Sequence, residues 1–188
     1  MNVLVISSSP NTDGLTGACA AAAVEGARQA GAQAEEIRLN DLQVGMCQAC
    51  DNGWGTCRQE HACQVSDDFQ ALHARVVEAD AVVLVTPVYW GEMSESAKAF
   101  TDRLRRCEAT RGSESGLADK TVIAVAAAGG SGNGTITCLA SMERWIQHVK
   151  GRVFDLIPVK RWTRENKLTT IREAARTMVQ EALEKNTG

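Results

Sequence analysis

Aromatic residues are scarce in this chain, with one tyrosine, three phenylalanines and four tryptophans among 188 residues, so a cluster of rings carries information. Histidine is scarcer still. Only His61, His73 and His148 are present, and no Ser-His-Asp arrangement for nucleophilic catalysis is evident. Basic excess is absent too: 20 Lys and Arg face 23 Asp and Glu, for a net charge of −3, with no basic tail or stripe to follow a nucleic acid. No apolar run reaches the ~18 residues that span a bilayer, so no membrane partner is expected. The opening Met-Asn-Val lacks the basic flank and apolar core of a signal peptide, and the cytoplasm is the expected location.

A hydrophobic content of 44% with 23% charged residues fits one globular domain, read as residues 1–188 with a cysteine-rich loop at 45–65. Five strands are expected, at residues 2–6, 33–39, 81–85, 121–127 and 152–159. The third and fourth are continuously apolar, as in strands covered on both faces, and the second is polar enough for an edge. Helices alternate with them: an alanine-rich one over residues 16–30, one opened by an Asp67/Gln70 capping box, one from Ser94 and one from Thr135. A last helix is expected from a Thr170/Glu173 capping box, with Ile171, Ala174, Ala175, Met178, Ala182 and Leu183 on one face. This alternation predicts an α/β fold, a three-layer structure around a parallel sheet with helices on both faces.

Ligands of such sheets bind beyond the carboxyl ends of the strands. The first strand runs into Ser7-Ser8-Ser9-Pro10-Asn11-Thr12-Asp13-Gly14-Leu15-Thr16, which aims helix N–H groups and several hydroxyls at one point. That suits a phosphate monoester. The loop has neither the glycine spacing and Lys of a P-loop nor a G-x-G-x-x-G pattern, so a mononucleotide is the expected ligand. The third strand is followed by Thr86-Pro87-Val88-Tyr89-Trp90-Gly91, with the only tyrosine and a tryptophan placed for a flat ligand, or else as a plain cap on the sheet. The fourth is followed by Ala128-Gly129-Gly130-Ser131-Gly132-Asn133-Gly134, where exposed backbone suits ring heteroatoms, or a flexible connection.

Taken together, Ser8-Ser9-Pro10 with Gly14 and Thr16, the 86–91 block and Ala128-Gly129-Gly130 resemble the flavodoxin-like flavoproteins, in particular the NAD(P)H-dependent FMN reductases and iron–sulfur flavoproteins. The resemblance runs to about residue 135. It implies a five-stranded parallel sheet of flavodoxin-like topology and FMN held by Ser8, Ser9, Asn11, Gly14, Leu15 and Thr16 at the phosphate. Pro87, Val88, Tyr89, Trp90 and Gly91 would lie along the ribityl chain and ring, and Ala128, Gly129, Gly130 and Gly132 at the isoalloxazine. It further implies an oxidoreductase passing electrons from NAD(P)H to a quinone-like acceptor or a redox protein, with no catalytic side chain. A homodimer or homotetramer is also implied, with Trp90 and the cysteine loop at its interface. The chain departs from the family in having Asn11-Thr12-Asp13 where a cation is common and Leu15 where Asn is usual, so its phosphate site relies on N–H and hydroxyl donors.

Of seven cysteines, Cys19, Cys107 and Cys138 fall in expected helices and read as inert core thiols. Cys47, Cys50, Cys57 and Cys63 lie within seventeen residues, in a compartment that disfavours structural disulfides. Iron–sulfur flavoproteins carry C-x2-C-x2-C-x4–7-C ahead of a helix beginning Asp-Asp. Here Cys47 and Cys50 match the first pair, Cys63 the last, and Cys57 follows an insertion around Gly53-Trp54-Gly55. The resemblance implies a [4Fe–4S] cluster on these four. Zinc, free thiols or a purely structural loop remain as alternatives, and with them a non-enzymatic thiol or metal sensor or a pure electron carrier. His61 reads as a solvated loop residue, and Lys160, Arg161 and Arg164 near Trp162 as a solvated turn, with contact to an anionic partner as the alternative.

Overall fold

In the computed structural model, which describes residues 1–187, strands and helices alternate as the apolar pattern requires. β1 (Asn2–Ser7) is followed by α1 (Leu15–Gln29), β2 (Gln33–Arg38), α2 (Phe69–Glu78) and β3 (Ala81–Tyr89). A short β4 (Glu92–Met93) precedes α3 (Glu95–Glu108), β5 (Thr121–Ala128), α4 (Thr135–His148), β6 (Arg152–Lys160) and α5 (Arg164–Thr187). The five long strands pair in parallel in the order β2-β1-β3-β5-β6, and β4 adds antiparallel to β3. Among the parallel strands this is the flavodoxin-like order, whose direction of winding switches between β1 and β3. The polar second strand is an edge, as its sequence implies.

Strand alternation divides the core into two layers. Leu4, Ile6, Val82 and Leu84 pack with Phe69 and Leu72 of α2, Phe100 and Leu104 of α3, and Met142 and Ile146 of α4. Their neighbours Val3, Val5, Val83 and Val85 pack on the other face with Ala20 and Ala23 of α1 and Ile171 and Met178 of α5. Each fully buried side chain of this size stabilises the fold by about 1.5–3 kcal/mol before entropy is counted. The alanines of α1 serve close approach. A Cβ built on Gly26 would fall 2.0 Å from the Arg172 carbonyl oxygen, so α1 and α5 meet nearly backbone to backbone.

Local signals held at some helix ends and failed at others. Ser94 caps α3, accepting from the Ala97 N–H at 3.4 Å. The Asp67/Gln70 box forms only in part: Gln70 accepts from the Asp67 N–H at 3.4 Å, while Asp67 Oδ1 accepts from Phe69 N at 3.0 Å. Its other carboxylate oxygen is taken by Arg103 and Gly45, as described below. The Thr170/Glu173 box does not exist. α5 is already running from Arg164, and the Thr170 hydroxyl donates back to the Asn166 carbonyl at 2.9 Å, an ordinary mid-helix bond. Of the expected face of α5, Ile171, Ala175 and Met178 are buried and joined by Val179, whereas Leu183 is exposed.

Candidate functional site

Because β1, β3 and β5 are adjacent and parallel, their carboxyl ends open on one edge of the sheet. The β1–α1 loop is anchored from below. Ser8 donates its N–H to the Val85 carbonyl at 3.1 Å, and its buried hydroxyl donates to the same oxygen at 3.3 Å. Ser94 Oγ donates to the Ser8 carbonyl at 3.0 Å and also lies 3.0 Å from Ser8 Oγ. Ser8 is therefore a fixed floor rather than a free donor, contrary to the role expected for its hydroxyl. Ser9 stands above it, its Oγ accepting from the Asn11 N–H at 3.2 Å, and Asn11 is exposed.

Gly14 opens α1 without a capping side chain, and the first helical bond runs from the Ala18 N–H to the Gly14 carbonyl at 3.1 Å. The N–H groups of Leu15, Thr16 and Gly17 are thus left without helical acceptors at the positive end of the dipole. Leu15 itself packs into the α1–α5 core and offers the loop only its backbone, and Thr16 is buried. A cation that the loop sequence lacks arrives from β2: Arg38 Nη2 donates to the Ser9 carbonyl at 3.4 Å and pairs with Asp41 at 3.7 Å. Nothing in the local sequence pattern pointed to Arg38, which reaches the loop only because β2 pairs with β1 in register up to Ser7↔Arg38.

Residues 86–91, expected as a loop, are the end of β3 and a tight hairpin. Tyr89 pairs with Glu92 of β4, and the two turn residues Trp90 and Gly91 both have positive φ, 52° and 83°. That is the backbone a two-residue hairpin of the primed types demands. Pro87 and Val88 are half-buried, Tyr89 is partly exposed, and Trp90 projects fully into solvent. The hairpin is tied to the third segment through Thr137, whose Oγ1 donates to the Gly91 carbonyl at 2.9 Å. A Cβ built on Gly134 (φ 79°) would lie 2.6 Å from Gly91 Cα, so glycine is required for these two backbones to touch.

After the buried Ala128, Gly129 and Gly130 are exposed, and a Cβ on either would meet no atom within 4 Å. Gly132, by contrast, is buried beneath Trp162, where a Cβ would come within 2.4 Å of the ring. The turn after β6 is therefore more than a solvated connection: Trp162 closes one side of the glycine loop, with Lys160 Nζ 5.7 Å from its ring centre. The edge so built offers unpaired N–H donors and a guanidinium at one end, and open glycine backbone with two aromatic rings at the other. Those are the donors and surfaces that a phosphate joined to a flat heterocycle requires.

The cysteine segment is built differently. Between the turn at residues 39–41 and α2 it has only two short 3-10 turns, and Ala49, Asp51, Asn52 and His61 adopt positive φ. α3 holds it in place. Arg103 donates to the Gly45 carbonyl at 3.1 Å, the Val65 carbonyl at 3.3 Å and both Asp67 oxygens at 2.6 and 2.9 Å. Arg106 donates to the Gly53 carbonyl and lies 4.7 Å over the Trp54 ring. His61, expected in solvent, has Nδ1 3.2 Å from the Cys107 carbonyl. Burial pushes the Asp67 carboxyl up, but its bonds from Arg103, Phe69 and Gly45 outweigh this and hold it below the ordinary value.

Cys47, Cys50, Cys57 and Cys63 line one small cavity together with Arg103 and Arg106. Among the described residues, however, no three His, Cys, Asp or Glu side chains are placed to hold a single metal ion. The expectation of a ready four-cysteine ligand set is corrected to that extent, and zinc finds no assembled site. The turns at Asp51–Gly53 and Thr56–Arg58 separate Cys50 from Cys63, and the four cysteines border a cavity without forming a group that could hold one ion. A [4Fe–4S] cluster asks for such an arrangement, since each thiolate binds a different iron of a cube. The donor chemistry and the two neighbouring cations fit. The remaining thiols behave as expected: burial pushes Cys19, Cys107 and Cys138 up to about 12, leaving them protonated.

The family described as NADPH-dependent FMN reductase matches residues 1–156. An iron–sulfur flavoprotein of Methanosarcina thermophila is 27% identical over 156 residues, covering 81% of this chain and 76% of that protein. A second, from Methanocaldococcus jannaschii, is 32% identical over 105 residues, and the match spans only about half of each protein, 56% and 52%. Among solved structures, a flavone reductase superposes with a TM-score of 0.76 at 19% identity, covering 99% of this chain and 64% of that one, which bears on the fold alone. With the match covering residues 1–156, the chain belongs to the NADPH-dependent FMN reductase family and is an oxidoreductase.

Proposed function

We propose that the protein binds FMN at the carboxyl edge of its sheet and passes electrons from NAD(P)H to a small acceptor such as a quinone, or to another redox protein. The observation that carries this reading is the exposed backbone of Gly129 and Gly130, open on the same edge as the unpaired N–H groups of α1. FMN bound there would supply the redox chemistry, accepting a hydride equivalent from reduced nicotinamide and passing on electrons one or two at a time. The chain's part is to bind and orient. Ser9, Asn11 and the N–H groups of Leu15, Thr16 and Gly17 hold the phosphate, with Arg38 adding positive charge through the loop. Gly129 and Gly130 let the backbone approach the ring, and Tyr89 and Trp162 exclude water around it. No side chain is required to move a proton.

The Cys47–Cys50–Cys57–Cys63 cavity supports a second centre, a [4Fe–4S] cluster that supplies single-electron transfer. The names of the iron–sulfur flavoprotein relatives favour it over free thiols. A homodimer or homotetramer belongs to the same reading, with the exposed Trp90 and the cysteine loop at the interface, and light scattering tests it. Membership in a reductase family favours this reading over a non-enzymatic sensor. The central test is titration of the purified protein with FMN, followed by NADH and NADPH oxidation with a quinone. Stoichiometric flavin binding and acceptor-dependent turnover are expected. Protein that takes up no flavin overturns the proposal.

A further inference from the structure

α3 places one cation under the cysteine loop in an unusual position. Arg103 is 1% exposed, and its guanidinium lies 4.3 Å over the Phe69 ring. Beyond its bonds to Asp67, Gly45 and Val65, Nη2 donates to the sulfur of Cys63 at 3.3 Å. Its Nε is buried and has no hydrogen-bond partner among the described residues. A buried donor left in that condition costs about 1–3 kcal/mol, and native proteins seldom tolerate it without a reason. Arg106 differs, since it is engaged by the Gly53 carbonyl and the Trp54 ring at the outer turn of the loop. Of the two guanidiniums that line the thiol cavity, only Arg103 already touches a cysteine sulfur and still holds an unused donor.

We propose that Arg103 is a positioning residue for the iron–sulfur cluster: it orients the Cys63 sulfur, reserves Nε for cluster sulfur, and sets the cluster's reduction potential. The inference rests on the cluster reading given above. Reduction adds negative charge to a group that is already anionic, and N–H donors to its sulfurs favour the reduced form, so the potential is raised. Asp67 neutralises part of the guanidinium's charge, which leaves the directed N–H···S bonds as the main effect. The same Asp67 bonds fix the fork of Arg103, so its donors are aimed before any cluster arrives.

The test uses the full chain, reconstituted anaerobically with iron and sulfide, as wild type, Arg103→Lys and the double variant Asp67→Asn/Arg103→Gln. Arg103→Lys keeps the charge and loses the fork. The double variant removes the ion pair without stranding either charge, and serves if the lysine variant fails to fold. Flavin binding and circular dichroism report folding, and iron content, chelator release and an EPR-monitored titration report the cluster. Expected are unchanged flavin binding, roughly tenfold faster loss of iron to a chelator, and a more negative potential in the variants. Equal iron retention and equal potential in wild type and a folded variant overturn this inference alone. Absence of iron from reconstituted wild type overturns the cluster reading and this inference with it.

Discussion

Two segments beyond strand ends, the cofactor edge and the cysteine loop, are held in opposite ways. The edge formed by β1, β3 and β5 is rigid from below: Ser8 bonds to both Val85 and Ser94, and Gly91 and Gly134 lock the hairpin to α4. Its upper surface is open, with the first N–H groups of α1 and the backbone of Gly129 and Gly130 exposed there. The cysteine segment has no such base. Its bonds come from side chains of the helices beside it, chiefly Arg103 and Arg106 of α3 with Gln70 of α2, and its own backbone bends through positive φ at non-glycine residues. Regular structure makes the first region independent of its ligand. The second depends on a few buried charges.

Breaking the buried charge should separate the two most sharply. Arg103→Met strands Asp67 and two carbonyls, and is expected to lower unfolding stability by about 3 kcal/mol in urea titration. Gly134→Ala attacks the other region. The added methyl must push the Gly91 backbone away at a positive φ, at about 2 kcal/mol by the same titration, with flavin affinity falling in parallel. Ser9→Ala and Arg38→Ala should instead leave stability nearly unchanged and weaken FMN binding about five- to tenfold each by fluorescence titration, about 1–1.4 kcal/mol. A large stability loss in either would erase the contrast.

Acid should also act on the charge-held side. Asp67 is held below its ordinary 3.8, burial being outweighed by Arg103 and two N–H donors. Glu108, buried where α3 ends, is held below its ordinary 4.5, since bonds from His73, Gly116 and Ser115 outweigh burial. A carboxylate whose folded value is depressed contributes stability above its unfolded value and loses it as pH falls through the folded one. The urea midpoint should therefore be flat in these groups above about pH 5 and decline below about pH 4. The smallest effect is expected at Thr170→Ala. With no cap there to lose, stability should change by less than about 0.5 kcal/mol, against about 1 kcal/mol for the true cap in Ser94→Ala.

That last pair measures how far local patterns can be read. Ser94 was legible because a cap needs only its own helix, whereas Thr170 has the same pattern within a helix that tertiary contacts with α1 and β6 had already extended. Residues 86–91 were legible as the segment ending the third strand but not as a hairpin, since Trp90 at positive φ carries no turn signature of its own. Trp162 and Arg38 were missed for a related reason. Each reaches the site from a strand end distant in sequence, through pairing of β6 with β5 and of β2 with β1.

The sequence alone determined the alternation of strand and helix, the polar edge strand, the core thiols and the three segments that follow β1, β3 and β5. All of these follow from hydrophobic period and from glycine or hydroxyl residues whose effect is local. Tertiary structure alone decided that the four cysteines border one cavity without forming a single-ion site among the described residues, that Asp67 serves Arg103 more than its own helix, and that Arg38 reaches the β1–α1 loop. These depend on long-range pairs of buried charge and backbone carbonyl. Such pairs form only when packed layers exclude water and bring residues far apart in the chain within hydrogen-bonding distance.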